Sequence, residues 1–213
     1  MQIKVNLQIF LFIILFVVTH QIELYAWIML FALIHEFGHL TAGLLLKLKP
    51  KSLSFMPLGI NITFEAYGYK KLLEKKKIIL ALAGPLTNFL IAIFITIFHI
   101  EQSLKELIGY SNILIGIFNL IPVYPLDGGR ILKGIIRSKF SEIKSEEIVN
   151  KISNFTIILL TTVSSITILY FKNLAMLLIL AYLWIIVIKE NRKYSMKKKI
   201  YTVLQKTNES IDI

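Results

Sequence analysis

Two histidines four residues apart, with a glutamate beside the first, are the residues of this chain best placed to do chemistry: His35-Glu36-Phe37-Gly38-His39. On a helix, positions i and i+4 share a face about one turn apart, so both imidazoles can grip one divalent ion. Glu36 lies about 100° round the axis from the first histidine, where its carboxylate reaches water beside the ion without taking a ligand position. That is general-base placement for hydrolysis assisted by zinc. The 213 residues include no cysteine, which excludes thiolate zinc sites, disulfides and iron–sulfur clusters. Any metal must be held by His, Asp or Glu.

A catalytic zinc ordinarily has three protein ligands plus a water, so a third ligand is required. Of the thirteen Asp and Glu, all but Glu36, Glu65 and Asp127 fall in polar loops, helix ends or tails. Asp127 ends the run Ile117-Phe118-Asn119-Leu120-Ile121-Pro122-Val123-Tyr124-Pro125-Leu126 and precedes Gly128-Gly129-Arg130. Prolines and glycines break a helix there and can turn the carboxylate back toward a bundle, irregular backbone being tolerated where it lines a cavity. Asp127 is therefore the expected third ligand. Its alternative role is to cap a helix near residues 128–136, since Asp is a favoured cap.

These residues must be positioned by membrane-spanning elements. Hydrophobic residues make up 56% of the chain and mean hydropathy is +0.70, well above soluble-domain usage. Six apolar runs stand near residues 5–19, 24–46, 78–100, 107–125, 153–171 and 173–189, several close to the roughly 20 residues that cross a bilayer. Of 24 Lys and Arg, one precedes the first run, eight lie between the second and third, six between the fourth and fifth, and seven follow from Lys189. The remaining connections hold only Lys105 and Lys172. This 22-to-2 split places both termini in the cytoplasm and makes the Thr19–Glu23, Glu101–Glu106 and Lys172–Asn173 turns external. The net charge of +11 is thus topological, and nucleic acid is not an expected partner. The first run reads as a retained helix, because no small-x-small cleavage site follows it.

The expected fold class is an all-α polytopic membrane protein of about six transmembrane helices. A small membrane-associated β-hairpin is expected between the second and third, in residues 50–70. Residues 1–190 form the membrane core and 191–213 a short basic cytoplasmic tail. In the hairpin, Ile60, Ile62, Phe64 and Ala66 alternate with Asn61, Thr63 and Glu65, Ser52-Leu53-Ser54-Phe55 alternates likewise, and Pro57-Leu58-Gly59 is the turn. An ionisable residue in the apolar core costs at least about 2.5–3.5 kcal/mol, so Glu36 needs a compensating role, which metal chemistry supplies. Asn88 and Asn119 are polar groups in apolar spans and have two readings: they orient substrate backbone or oxyanion, or they bond neighbouring helices. Gly38 and Gly43 permit close approach of another helix or of substrate. His20 and His99, at the outer ends of spans, read as interfacial, and the Lys70–Lys77 cluster as a contact for anionic headgroups.

The motifs resemble the site-2 protease family of intramembrane zinc metalloproteases, from about Ala26 to Arg137. His35-Glu36-Phe37-Gly38-His39 matches the family's zinc helix. Gly84-Pro85-Leu86-Thr87-Asn88 resembles its G-P-x-x-N element, and Asn119 through Asp127-Gly128-Gly129-Arg130 resembles its N-x-x-P…D-G segment, which carries the third ligand. The likeness is closest to the six-span branch typified by the stage IV sporulation protease of endospore formers, which cleaves a membrane-associated sigma-factor precursor. Sporulation members of that branch usually carry a cytoplasmic CBS domain after the last span; with about 24 residues beyond Lys189, neither that domain nor the PDZ domain of other branches is expected here. The resemblance implies a Zn2+-dependent endopeptidase cleaving membrane-embedded or membrane-associated proteins near the cytoplasmic face. Glu36 is then the general base, and His35, His39 and Asp127 are the ligands. The bilayer is the chain's surroundings, a membrane regulator is an implied partner, and bacterial origin fits the Lys- and Ile-rich composition. The rival reading is a non-proteolytic metal-binding membrane protein or transporter. A retained Glu36 counts against it, because metal storage needs no general base.

Overall fold

Gln2 and Lys4 alternate with Ile3 and Val5, and these residues form a strand, β1 (Gln2–Val5). Val5 opens the apolar run expected over 5–19, and pairing with a later strand draws it into β1 instead. The computed structural model describes residues 2–56, 59–171 and 174–211. The expected turn at Pro57 and Leu58 and the expected external turn at Lys172–Asn173 lie outside the described residues.

Two units divide the chain, Met1–Leu120 and Ile121–Ile213. After β1 the first unit continues through α1 (Gln8–Val18), α2 (Ile22–Leu45), β2 (Pro50–Met56), β3 (Gly59–Phe64), α3 (Ala66–Lys71), α4 (Glu74–Phe94), a 3₁₀ turn (Ile95–Ile97) and α5 (Gln102–Asn119). No proline or interior turn signal interrupts α2, so the His-Glu cluster sits on one continuous helix of 24 residues. Pro85 lies inside α4. It withholds the N–H that the Ala81 carbonyl would otherwise receive, a loss that helices in apolar surroundings accommodate through neighbouring groups.

The sheet has the order β1-β2-β3. β1 runs parallel to β2, with Gln2 opposite Ser52 and Val5 opposite Phe55. β2 and β3 are antiparallel, with Leu53 opposite Ile62 and Met56 opposite Gly59. The hairpin is therefore the expected one, enlarged by a third strand. It ends at Phe64, short of the predicted Ala66, which opens α3. That helix has only six residues, too few for its 3.6-residue period to stand out among apolar and basic neighbours. Ile60 and Ile62 are buried. β3 packs against α2 and is an edge strand, since the sheet ends there.

In the second unit, α6 (Asp127–Arg137), α7 (Glu142–Phe171) and α8 (Leu174–Ile211) follow one another. Trp184 Nε1–H donates to Thr161 Oγ1 (3.0 Å), Asn191 Nδ2–H to Asn154 Oδ1 (2.8 Å) and Lys197 Nζ–H to Glu142 Oε1 (2.6 Å). Partner numbers fall along α7 as they rise along α8, so the two helices are antiparallel. Val149, Ile157, Leu183 and Val187 are buried along them. The residues expected as a short tail continue α8 to Ile211, because no Gly or Pro follows Lys189 to stop it. Helices fall on all six apolar runs. Among the described residues, two are long and apolar enough to cross a membrane, Tyr25–Leu45 and Glu74–Ile97.

Candidate metal centre

Four-residue spacing recurs on both helices that build the site. On α2, His35 and His39 are one turn apart, their rings edge to face with centroids 4.8 Å apart. On α4, Gly84 and Asn88 are also one turn apart, and that face of α4 lies against the histidines. A Cβ added at Gly84 would stand 2.4 Å from His39 Nε2 and 2.5 Å from His35 Nε2. On the α2 side, a Cβ at Gly38 would stand 2.7 Å from the Ala83 carbonyl oxygen and 2.3 Å from Thr87 Oγ1. Each helix thus offers a glycine where the other needs room, and only a missing side chain lets them approach so closely. Of the two readings of Gly38, helix packing is the one realised.

The two imidazoles are oriented from behind. His39 Nδ1 lies 2.8 Å from the Leu80 carbonyl oxygen. A carbonyl only accepts, so Nδ1 carries the hydrogen and Nε2 the lone pair. His35 Nδ1 lies 2.5 Å from Asn88 Oδ1. Nε2 of one ring faces Nε2 of the other at 3.1 Å. Lone pairs aimed at each other at that distance repel unless a cation or proton stands between them, and holding the far nitrogen of each ring is how proteins orient metal-binding histidines. The donor set fits a divalent ion that takes imidazole nitrogen.

Glu36 lies on the same helix, turned toward the sheet: its Oε2 accepts the Ile62 N–H at 2.8 Å. His35, Glu36 and His39 are all less than 10% exposed, whereas Phe37, between them, is 51% exposed. The apolar residue of the motif faces outward and the ionisable ones face inward, as burial in apolar surroundings demands.

Asn88 is fully buried and joins three helices, accepting from His35 on α2 and donating its Nδ2–H to Asn112 Oδ1 (2.8 Å) on α5. Asn119 is elsewhere. It closes α5, half-buried, and its Nδ2–H goes to Ile115 O of its own helix (3.0 Å). The α5 residue that meets Asn88 is Asn112, buried and two turns earlier, which the sequence reading passed over. A second buried-type amide seven residues before Asn119, on the same helix face, was the available signal.

In the second unit, Asp127 is the first residue of α6 and only 4% exposed. The cap position is Leu126, and Asp127 stands next to it in the first turn of α6. Arg130, one turn on, places Nη1 3.5 Å from Asp127 Oδ1.

The model of peptidase family M50 matches residues 24–105 and 98–160. A zinc metalloprotease of Methanocaldococcus jannaschii is 31% identical over 135 residues, 57% of this chain and 38% of that protein. Stage IV sporulation protein FB of Bacillus subtilis is 31% identical over 136 residues, 61% of this chain and 46% of that protein. The chain spans less than half the length of these curated relatives. Its fold is similar to that of the site-2 protease from Methanocaldococcus jannaschii, with a TM-score of 0.69 at 23% identity, over 88% of this chain and 89% of the other.

Proposed function

This chain belongs to peptidase family M50, and from that premise we propose that it is a zinc-dependent intramembrane endopeptidase. Its substrates are membrane-embedded or membrane-associated proteins, cut near the cytoplasmic face. The observation that carries the reading is the pair of imidazoles whose Nδ1 atoms are tied back to Asn88 and Leu80 while their Nε2 atoms converge. His35 and His39 supply nitrogen ligands and Asp127 the oxygen ligand. Each of the three is buried and offers a nitrogen or oxygen that zinc accepts. Two imidazoles and one carboxylate are the ligand number and type of an open catalytic zinc site.

Zinc held there supplies Lewis acidity, lowering the pKa of water toward about 7 and polarising the scissile carbonyl. The remaining work belongs to the chain's own residues. Glu36 takes the proton from the attacking water and passes it to the leaving amine nitrogen. The Ile62 N–H fixes Glu36 Oε2 and with it the plane of the carboxylate. β3 is also an edge strand of the sheet, so an unwound substrate segment can add to it, held by main-chain hydrogen bonds at positions other than Ile62, whose N–H is given to Glu36. Asn119, at the end of α5, is assigned to substrate positioning.

The chain spans the bilayer six times with both termini cytoplasmic. The 22-to-2 division of Lys and Arg and the placement of helices on all six apolar runs support this. Residues 1–190 form the catalytic core, a membrane regulator is the expected partner, and the cell is bacterial. Family membership and Glu36 on the motif helix favour proteolysis over metal transport. The test is purified full-length protein reconstituted with single-span substrates, wild type against Glu36→Gln. About one zinc per chain is expected in both, with cleavage only in the wild type. Metal-free wild type, or equal cleavage by the variant, overturns the assignment.

A further inference from the structure

Three hydrogen bonds in series run from α5 to the first histidine, and one backbone carbonyl dictates the sense of all three. Asn112 Nδ2–H donates to Ile108 O at 2.9 Å, Asn88 Nδ2–H donates to Asn112 Oδ1 at 2.8 Å, and Asn88 Oδ1 lies 2.5 Å from His35 Nδ1. The Ile108 carbonyl can only accept, so Asn112 must present its amino group there and its oxygen to Asn88. Asn88 must then present its amino group to Asn112 and its oxygen to His35. An acceptor facing Nδ1 requires the hydrogen on Nδ1 and leaves the lone pair on Nε2. Reversing any amide sets acceptor against acceptor and donor against donor. Both asparagines are fully buried, where an unmet polar group costs the most, so the reversed state is heavily penalised.

We propose that Asn112 is a positioning residue that, through Asn88, fixes the tautomer of His35 and aims its Nε2 lone pair at the metal position. The two histidines are then treated alike. His39 reads a backbone carbonyl directly, that of Leu80, and His35 reads the carbonyl of Ile108 through two amides. The proposal rests on the reading of His35 and His39 as zinc ligands.

The experiment uses the full chain in detergent micelles, with 15N-labelled histidine and the four histidines assigned by single substitution. It reads the His35 tautomer in zinc-free protein and zinc affinity by chelator competition. Wild type should carry hydrogen on His35 Nδ1. Asn112→Leu should give mixed tautomers at His35, an unchanged His39, and zinc affinity lower by about tenfold or more, the usual cost of disturbing a partner behind a ligand. Asn112→Asp should restore both readouts, because a buried carboxyl keeps its proton, donates to Ile108 O and still accepts from Asn88. Hydrogen on His35 Nε2 with none on Nδ1 in wild type overturns the proposal, as does a folded Asn112→Leu with wild-type tautomer and affinity. If Asn112→Leu does not fold, the wild-type tautomer and Asn112→Asp decide. Wild type that binds no zinc but shows the Nδ1 tautomer refutes the metal reading and upholds the relay.

Discussion

Replacing Gly84 with alanine should damage the metal centre directly, and the size of the effect follows from the structure. The added Cβ falls 2.4 Å from His39 Nε2, 2.5 Å from His35 Nε2 and 2.7 Å from His35 Cε1, where ordinary contact begins at 3.4 Å. Each ring must therefore retreat by about 1 Å or helix α4 must move away from α2. The rings are held from behind by bonds of 2.5 and 2.8 Å, which such a retreat would bend or break, at about 1 kcal/mol each. Moving α4 instead unseats the contact of Ala83 and Thr87 with Gly38, and overpacking of this kind costs about 1–3 kcal/mol. Metal ligands tolerate displacements of only about 0.2 Å. Zinc affinity should fall by at least about tenfold to 100-fold, and cleavage of a reconstituted substrate by about 100-fold, as for any comparable misplacement of reacting groups. Gly109→Ala is the control: its Cβ meets only Ile95 Cγ2, at 3.8 Å. It should leave zinc affinity unchanged and gain up to about 1 kcal/mol of helix stability. A Gly84→Ala protein that binds zinc and cleaves within threefold of wild type would refute the placement of α4 against the two ligand nitrogens.

Other expectations follow from single contacts. Ile62 gives its N–H to Glu36 from an edge strand, where prolines are tolerated, so Ile62→Pro should leave the sheet folded. It should leave zinc content intact and slow cleavage by an order of magnitude or more, roughly the weight of a positioned general base; full activity would sink the role of the Glu36 contact. In the second unit, the hydrogen bond from Lys197 holds the Glu142 carboxyl below the usual range. Burial raises Glu146, but Lys197 and Lys133 outweigh it and the net shift is again downward. Folded carboxylates with lowered pKa contribute stability above their unfolded values, near 4.3, and lose it as pH falls through the folded values. Lys197→Met should therefore lower the thermal midpoint at pH 7 and by progressively less as the pH falls below the carboxylate range, and a loss independent of pH would contradict the ion-pair assignment.

Much of this protein was legible as a string of residues because the features concerned are local. The i, i+4 pair of histidines, the apolar runs that become helices and the alternation that becomes β2 and β3 are all written in short-range period. The basic loops are written in composition. An inventory of acidic residues in a chain without cysteine makes Asp127 a candidate ligand. The overreading of β3 through Ala66 and the missed α3 share one cause, since six residues hold too little of either period to separate them.

What only tertiary structure decided is which distant elements meet. Nothing in the local pattern of Gln2–Val5 says that it lies beside β2, some 50 residues on. Nor does the pattern around Asn112 say that it, and not Asn119, meets Asn88. The tautomer of His35 depends on residues 53 and 77 positions away, and the fit of Gly84 over two Nε2 atoms depends on the depth at which α4 seats against α2. Period and composition report how a segment folds and which face it buries. The partner found on that face is set by how whole helices pack, and that is a property of the chain folded together.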